Sequence, residues 1–565
     1  MRILFLTHSF NSLSQRLFVE LRDREHEVSV EFDINDATAI QAVDLFQPDL
    51  IIAPFLKRAI PEVIWRNHVC LVVHPGIRGD RGPSSLDWAI LEAETDWGVT
   101  VLQANEIMDG GDIWAYSEFP MRMASKASLY RNEVTEAAVE AVLDAVDKFA
   151  AGDGQPEPLE YGRTDIRGKL RPVVKQSDRA IDWQCDGAEV VLGKIYSADG
   201  FPGVVDTLYG REVYLYDARP EYKLHGPPGE VIARCGPAIC RATIDGAVWI
   251  GHLRDKNGKH PFKLPASLVL EDEIVDLPES SGYEEIRYVE QSGVGYLYFD
   301  FYNGAMSTRQ CERLLAAYRD ARTRDTKVIV LMGGADFWSN GMHLNLIEAA
   351  DSPADESWYN INAIDDLARE IITTDTHLVI SALQGNSGAG GVFLARAADY
   401  VWSRQGVILN PHYKDMGNLY GSEYWTYLLP RYAGPERAKK ISEARLPMGT
   451  SEAMTLGLVD ASFATDRAGF LQEITARAEA LARAGDYHDL LAAKRARWVA
   501  EEKEVPLETY RAQELERMRL NFYGFDPSYH VARYNFVYKV PKSRTPLTLA
   551  AHRLQTSRTS RRIAK

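Results

Sequence analysis

Strand-length apolar runs that alternate with helix-length amphipathic segments constrain this chain more than any other feature. RILFLT (2–7) is followed by a helical segment over 14–24. EVSVEF, DLIIAPF, CLVV, GVTVLQ and DIWAYS repeat the strand signal, and helical stretches fall at 84–94 and 130–150. This alternation predicts a mainly parallel α/β sheet. The first strand-to-helix loop, THSFNSLSQ, has no glycine. That argues against a dinucleotide-binding fold, which needs glycines for close phosphate approach.

After a break at 151–157 (AGDGQPE) the pattern changes. GREVYLYDA, GEVIARCG and AICRATIDGAVWIGHL are short strands with turn signals between them. They predict a small β-rich, OB-like domain. A second break, LPESSGYEE, leads into another α/β region. There GVGYLYFDF, KVIVLMGG and HLVISAL alternate with helices, and two of the loops, GGADFWSNGMHLN and GNSGAGG, are rich in glycine. Helices dominate from about 451 to 519. At 565 residues the chain exceeds a single core. The expected fold class is α/β multidomain, with domains at 1–165, 170–275 and 285–525 and a basic segment at 526–565.

Composition narrows the function classes. The net charge of −16 argues against broad nucleic-acid binding. No run of eighteen apolar residues occurs, so no membrane span is expected. MRILFLTHSF reads as a first strand, not a cleavable signal. Five scattered cysteines, without a CxxC pair, fit a reduced, cytoplasmic chain with no metal site. The charge is uneven: Arg533 to Lys565 holds nine Lys or Arg and no acid. Composition alone leaves this open between a basic tail and a clamp for a polyanion.

Two constellations carry chemistry. His74 ends the CLVV strand, where open α/β sheets place reactive groups. Asp109 lies in MDGGDIW, a glycine loop before another strand. Such a pair can work as acid/base, the carboxylate orienting the imidazole. Spacing alone fits turn residues without chemistry as well. PDLIIAPF, VVHP, RGPSSLDWAI, GVTVLQ and MDGGDIW together resemble the folate-dependent formyltransferases. AIDW and DGFPGVVDTLYGREVYLYDA resemble the small C-terminal domain of methionyl-tRNA formyltransferase. The resemblance implies formyl transfer from 10-formyltetrahydrofolate, with His74 and Asp109 in the catalytic set. The family's catalytic asparagine would stand at Val72. Gln15, Arg78, Arg81 and Arg131 are candidates for replacing that donor or for holding the ligand.

NGAMS, DFWSNGMHL, SALQGNSGAGGVFLA, NPHYKDMG and SEARLPMGTSEAMTLGLVD resemble the enoyl-CoA hydratase/isomerase (crotonase) superfamily. The resemblance implies two backbone N–H groups, of Met342 and Gly390, that polarise a thioester carbonyl. Asn340 and His343 stand in the first of these loops. The hydratase glutamates fall on Phe393 and Tyr413, which excludes ordinary water addition by two carboxylates. Glu423, among Tyr420, Tyr424, Trp425 and Tyr427, is a candidate for proton transfer with Tyr413. Which is acid and which is base stays open. Arg533, Lys539, Lys542 and Arg544 are candidates for the CoA phosphates, and residues 555–565 read as a free tail.

The two resemblances in this order are similar to the hydrogenase maturation factors that join a formyltransferase to a crotonase. This implies tetrahydrofolate and coenzyme A as ligands and carbon monoxide, made for the NiFe-hydrogenase site, as product. Other maturation proteins are possible partners, and neither nucleic acid nor membrane is expected. The alternatives are an amine formyltransferase fused to an acyl-CoA lyase or hydrolase, and a non-catalytic assembly scaffold.

Overall fold

The computed structural model describes residues 1–152 and 154–554, and the chain divides into two compact units. One consists of Met1–Tyr283 together with the segment from Lys542, the other of Glu284–Pro541.

The first unit begins with β1 (Arg2–Thr7), β2 (Glu27–Phe32), β3 (Leu50–Ala53), β4 (Cys70–His74), β5 (Asp96–Gln103) and β6 (Ile113–Pro120). They form one sheet in the order β2-β1-β3-β4-β5-β6. Ile3, Leu4, Phe5, Leu50, Ile51 and Ile52 are fully buried, as expected of strands covered on both faces. β2, β1, β3 and β4 pair in parallel. β5 and β6 are antiparallel to their neighbours. The sheet is mainly parallel, as expected, with two antiparallel strands at one side. The loop between β5 and β6 is too short for a crossover, so the chain can only turn back there.

The second domain of this unit is antiparallel. β7 (Val204–Leu208), β8 (Arg211–Glu221), β9 (Val231–Cys235), β10 (Ala238–Ala242) and β11 (Ala247–Asp255) pair in the order β7-β8-β11-β10-β9, and β12 (Leu264–Pro265) adds to β11. Helix Ala188–Ala198 buries Val191, Leu192 and Ile195 in the same core as Val213, Leu215 and Ile250.

The second unit carries β13 (Ile286–Gln291), β14 (Val294–Phe299), β15 (Val328–Leu331), β16 (Phe337–Ser339), β17 (Leu378–Leu383), β18 (Asn386–Gly388), β19 (Tyr400–Arg404), β20 (Leu409–Asn410) and β21 (Ala461–Phe463). The main sheet runs β13-β14-β15-β17-β19-β21, parallel except at β13; β16-β18-β20 make a small parallel sheet. Alternate residues feed opposite cores, as a period of two requires. Leu297, Phe299, Ile329 and Leu331 join one cluster; Val294, Tyr296, Val328 and Val330 join the other. Helices Arg467–Arg483, Tyr487–Glu504, Leu507–Tyr523 and Ser528–Val537 follow.

After Pro541 the chain rejoins the first unit along β2, an edge of its sheet. Val30 N donates to Leu549 O (3.0 Å) and Phe32 N to Thr545 Oγ1 (2.7 Å). His552 lies between Ser29 Oγ (2.7 Å) and Glu31 Oε2 (2.9 Å), with Arg553 on the same carboxylate. The C-terminal segment expected as one piece from 526 is thus divided between the units. Residues 555–565, read as a free tail, lie outside the described residues. Among the described residues no helix is long and apolar enough to cross a membrane.

Candidate functional site

In the first unit, β4 ends on His74, whose ring is buried. The loop after it is fixed by side chains from around it. Ser85 Oγ and Trp97 Nε1 both donate to Pro75 O, and Thr100 Oγ1 donates to Gly76 O. This held loop brings Asp80 back, with Oδ2 2.9 Å from His74 Nε2. On the other side of the ring, Asp109 Oδ1 is 3.7 Å from Nδ1. Asp109 takes a left-handed backbone (φ 55) and accepts from Gly82 N at 3.3 Å. The imidazole therefore lies between two carboxylates, and the closer is Asp80. Asp80 is buried, with Arg171 Nε 3.5 Å from its other oxygen.

His74 and Asp109 face a cavity of about 1520 Å³, lined also by Val72, Asn105, Tyr130 and Arg131. Val72 packs with the apolar cluster of Leu4, Leu6, Ala53 and Ile51. Gln15, on helix Ser12–Asp23, donates to Phe10 O at 2.9 Å. Arg81 Nε donates to Met108 O, which ties the two loops of the site together. Arg78 is held by Asp165 (2.8 Å) and lies 3.9 Å over the Tyr116 ring.

In the second unit, the two glycine loops meet. A Cβ on Gly341 would stand 3.5 Å from Gly390 N, and Gly390 opens helix Gly390–Arg396. The first N–H groups of a helix have no intrahelical partner, so Gly390 N can donate elsewhere. Met342 follows Gly341 in the loop that pairs with Met306. Against this site lies Glu423: a Cβ on Gly390 would come 1.9 Å from Glu423 Oε1. Only glycine leaves room for that carboxyl.

Tyr413 Oη donates to Glu423 Oε2 at 2.6 Å, and both side chains are buried. The Tyr413 ring stacks on Phe393, with centroids 5.4 Å apart. Burial, then the Asp365 carboxylate, pushes Glu423 up to about 8. Burial and the neighbouring Glu423 push Tyr413 well above the usual phenol range. Near neutrality this pair holds protons rather than charge. Glu423, the nearer of the two to its midpoint, can accept or deliver one with little cost.

Three independent similarities bear on these sites. The formyl transferase family model matches residues 25–146, its C-terminal domain 173–262, and enoyl-CoA hydratase/isomerase 290–522. The hydrogenase maturation factor HoxX of Bradyrhizobium diazoefficiens is 58% identical over 98% of both chains. The chain belongs to the HoxX family of hydrogenase maturation factors. The crystal structure of HypX from Aquifex aeolicus in complex with tetrahydrofolic acid superposes with a TM-score of 0.94, at 48% identity, over 98% of this chain and 99% of that one. Methionyl-tRNA formyltransferase of Syntrophus aciditrophicus is 25% identical over 35% of this chain and 63% of its own.

In this HoxX-family chain the remaining site candidates separate. Asn340 Nδ2 donates to Asn303 O, and His343 caps helix Leu344–Ala349 through Nδ1. Arg533 is buried and pairs with Glu348 at 2.7 Å. Lys539 Nζ lies 4.2 Å over the Phe536 ring. Lys542 and Arg544, candidates for the CoA phosphates, belong to the first unit, where Lys542 lies 5.5 Å over Phe32. Asp80 was not singled out from sequence, although it shares the His74 loop. Asp365 and Glu514 also escaped, because each is an ordinary acidic residue on a helix rich in charged residues. Among the described residues no cluster of His, Cys, Asp and Glu could hold a metal ion.

Proposed function

We propose that this chain moves a formyl group from 10-formyltetrahydrofolate to the thiol of coenzyme A and then releases it as carbon monoxide. The observation that carries this reading is the buried Tyr413–Glu423 hydrogen bond beside Gly390. The folate half is supported by the formyl transferase match and by the tetrahydrofolate complex of the similar HypX. The thiol half is supported by the paired glycine loops. Met342 and Gly390 N–H groups suit a thioester oxygen, whatever the acyl chain.

In the first step His74 takes the thiol proton as sulfur attacks the formyl carbon. The bond from that carbon to the folate nitrogen then breaks, and the proton passes to the nitrogen. Asp80 and Asp109 stabilise the imidazolium between these events. In the second step the formyl group offers no α-carbon, so no enolate can form. The ionised fraction of Glu423 removes the formyl proton, the carbon–sulfur bond breaks, and carbon monoxide leaves. Tyr413 protonates the departing thiolate and is reprotonated by Glu423. No electron is gained or lost overall, and the thiol is regenerated.

Purified protein given 10-formyltetrahydrofolate should yield carbon monoxide, read as the carbonmonoxy-haemoglobin band, only when coenzyme A is present. Release of formate alone, with or without coenzyme A, overturns the proposal. A formylated amine would favour transfer to nitrogen. Tyr413→Phe should cut carbon monoxide release by about a hundredfold or more while formyltetrahydrofolate is still consumed.

A further inference from the structure

Asp365 and Glu514 have no part in the steps above, yet both are fully buried beside Glu423. They come from different helices, Pro353–Ile372 and Leu507–Tyr523. They meet at Ser422, whose Oγ lies 2.8 Å from Asp365 Oδ2 and 3.2 Å from Glu514 Oε2. A hydroxyl has one proton, so it can satisfy only one carboxylate at a time. The second must bring a proton of its own or lose this donor inside an apolar core.

The same two groups hold the turn that carries Glu423. Asp365 Oδ1 accepts from Glu423 N (2.8 Å), Glu514 Oε2 from Tyr424 N (2.9 Å), and Glu514 Oε1 from Thr426 N (2.7 Å). Gly421, Glu423 and Tyr424 all have left-handed backbone, at φ 88, 58 and 59. Two of these are not glycine, and such strain persists only where the surroundings impose it.

The charges facing the cluster do not balance it. Arg511 Nε is 4.0 Å from Asp365 Oδ2, but Arg511 also pairs with Asp366 at 2.7 Å. Arg369 and Glu508 face Tyr424, Cys311 faces Glu423, and Tyr413 is hydrogen-bonded to it. One shared guanidinium therefore confronts three buried carboxyls, which cannot all ionise.

We propose that Asp365 and Glu514 are positioning residues that share protons through Ser422 and thereby set both the place and the protonation of Glu423. The inference rests on Glu423 as the proton-transfer group of the proposed reaction. Burial, which raises Asp365 to about 7, and burial followed by the Asp365 charge, which raises Glu514 to about 8, are consistent with it.

The test is a pH titration of the full-length protein by infrared difference spectroscopy, following the carbonyl band of buried protonated carboxyls. Glu423→Gln identifies the Glu423 contribution. Asp365→Asn keeps an oxygen for Glu423 N and removes one like charge. It should lower the Glu423 midpoint by about one unit. Glu514→Gln should shift it the same way. The inflection of kcat for carbon monoxide release should move with it, and KM for coenzyme A should not. Loss of activity at every pH with an unmoved midpoint would leave these residues structural and overturn the proposal. So would a wild-type protein without a protonated carboxyl band at neutral pH, a measurement that needs neither variant to fold. The infrared readout requires no turnover, so absence of carbon monoxide would count against the proposed reaction alone.

Discussion

Gly390 shows how tightly single residues would set the proposed chemistry. Its Cα sits where any Cβ would strike Glu423 Oε1. Gly390→Ala should therefore leave the fold intact and displace the carboxyl. A misplacement of about 1 Å is worth roughly a hundredfold in rate, so carbon monoxide release should fall by at least that much with an unchanged circular dichroism spectrum. In the other unit, Asp80 and Asp109 flank one imidazole. If both stabilise the imidazolium, Asp80→Asn should slow formyl transfer by about a hundredfold, measured as tetrahydrofolate formation, and as severely as Asp109→Asn. His74, Asp109, Tyr413 and Glu423 were legible in the sequence because they fall at recognisable strand ends and loops. Asp80 was not, because a family pattern names two partners and is silent on a third. Asp365 and Glu514 were not, because nothing local marks an acid that will be buried by a turn from elsewhere.

Elements were legible where their periodicity was strong. The parallel strands of both units stand where apolar runs predicted them, and the antiparallel middle domain followed from its turns. The direction of β5 and β6 did not, since an apolar run reads the same in either sense. Least legible was the segment along β2. Its contacts join residues 510 or more positions apart, beyond any local pattern. Edge strands need covering, and this segment gives β2 partners for its backbone. The anchor is Glu31. Burial pushes its carboxyl up, but hydrogen bonds from His552, Thr545 and Arg553 together hold it below the usual range. A depressed carboxylate stabilises the fold above its unfolded pKa and loses that contribution as pH falls through the folded value. The segment should therefore hold at neutral pH and loosen below about pH 4.5, seen as faster amide exchange over residues 545–552. His552→Ala, which leaves a buried carboxylate short of a partner, should destabilise the first unit by about 3 kcal/mol in chemical denaturation.

At the scale of the molecule, the units are not successive stretches of sequence. The first unit is made from both ends of the described chain, the second from its middle. The second unit has two cores of its own, one on each face of its sheet. Residues 284–541 expressed alone should unfold in one cooperative transition. A chain ending at Pro541 should leave Val30 and Phe32 N–H groups open on β2 and self-associate, visible in size-exclusion chromatography. The arrangement also has a history in time. Synthesis proceeds at about 5–20 residues per second, so the partner of β2 follows it by roughly half a minute to two minutes. The domain made first is among the last to be finished. Through that interval its bare edge depends on the cell, rather than on its own sequence, for protection.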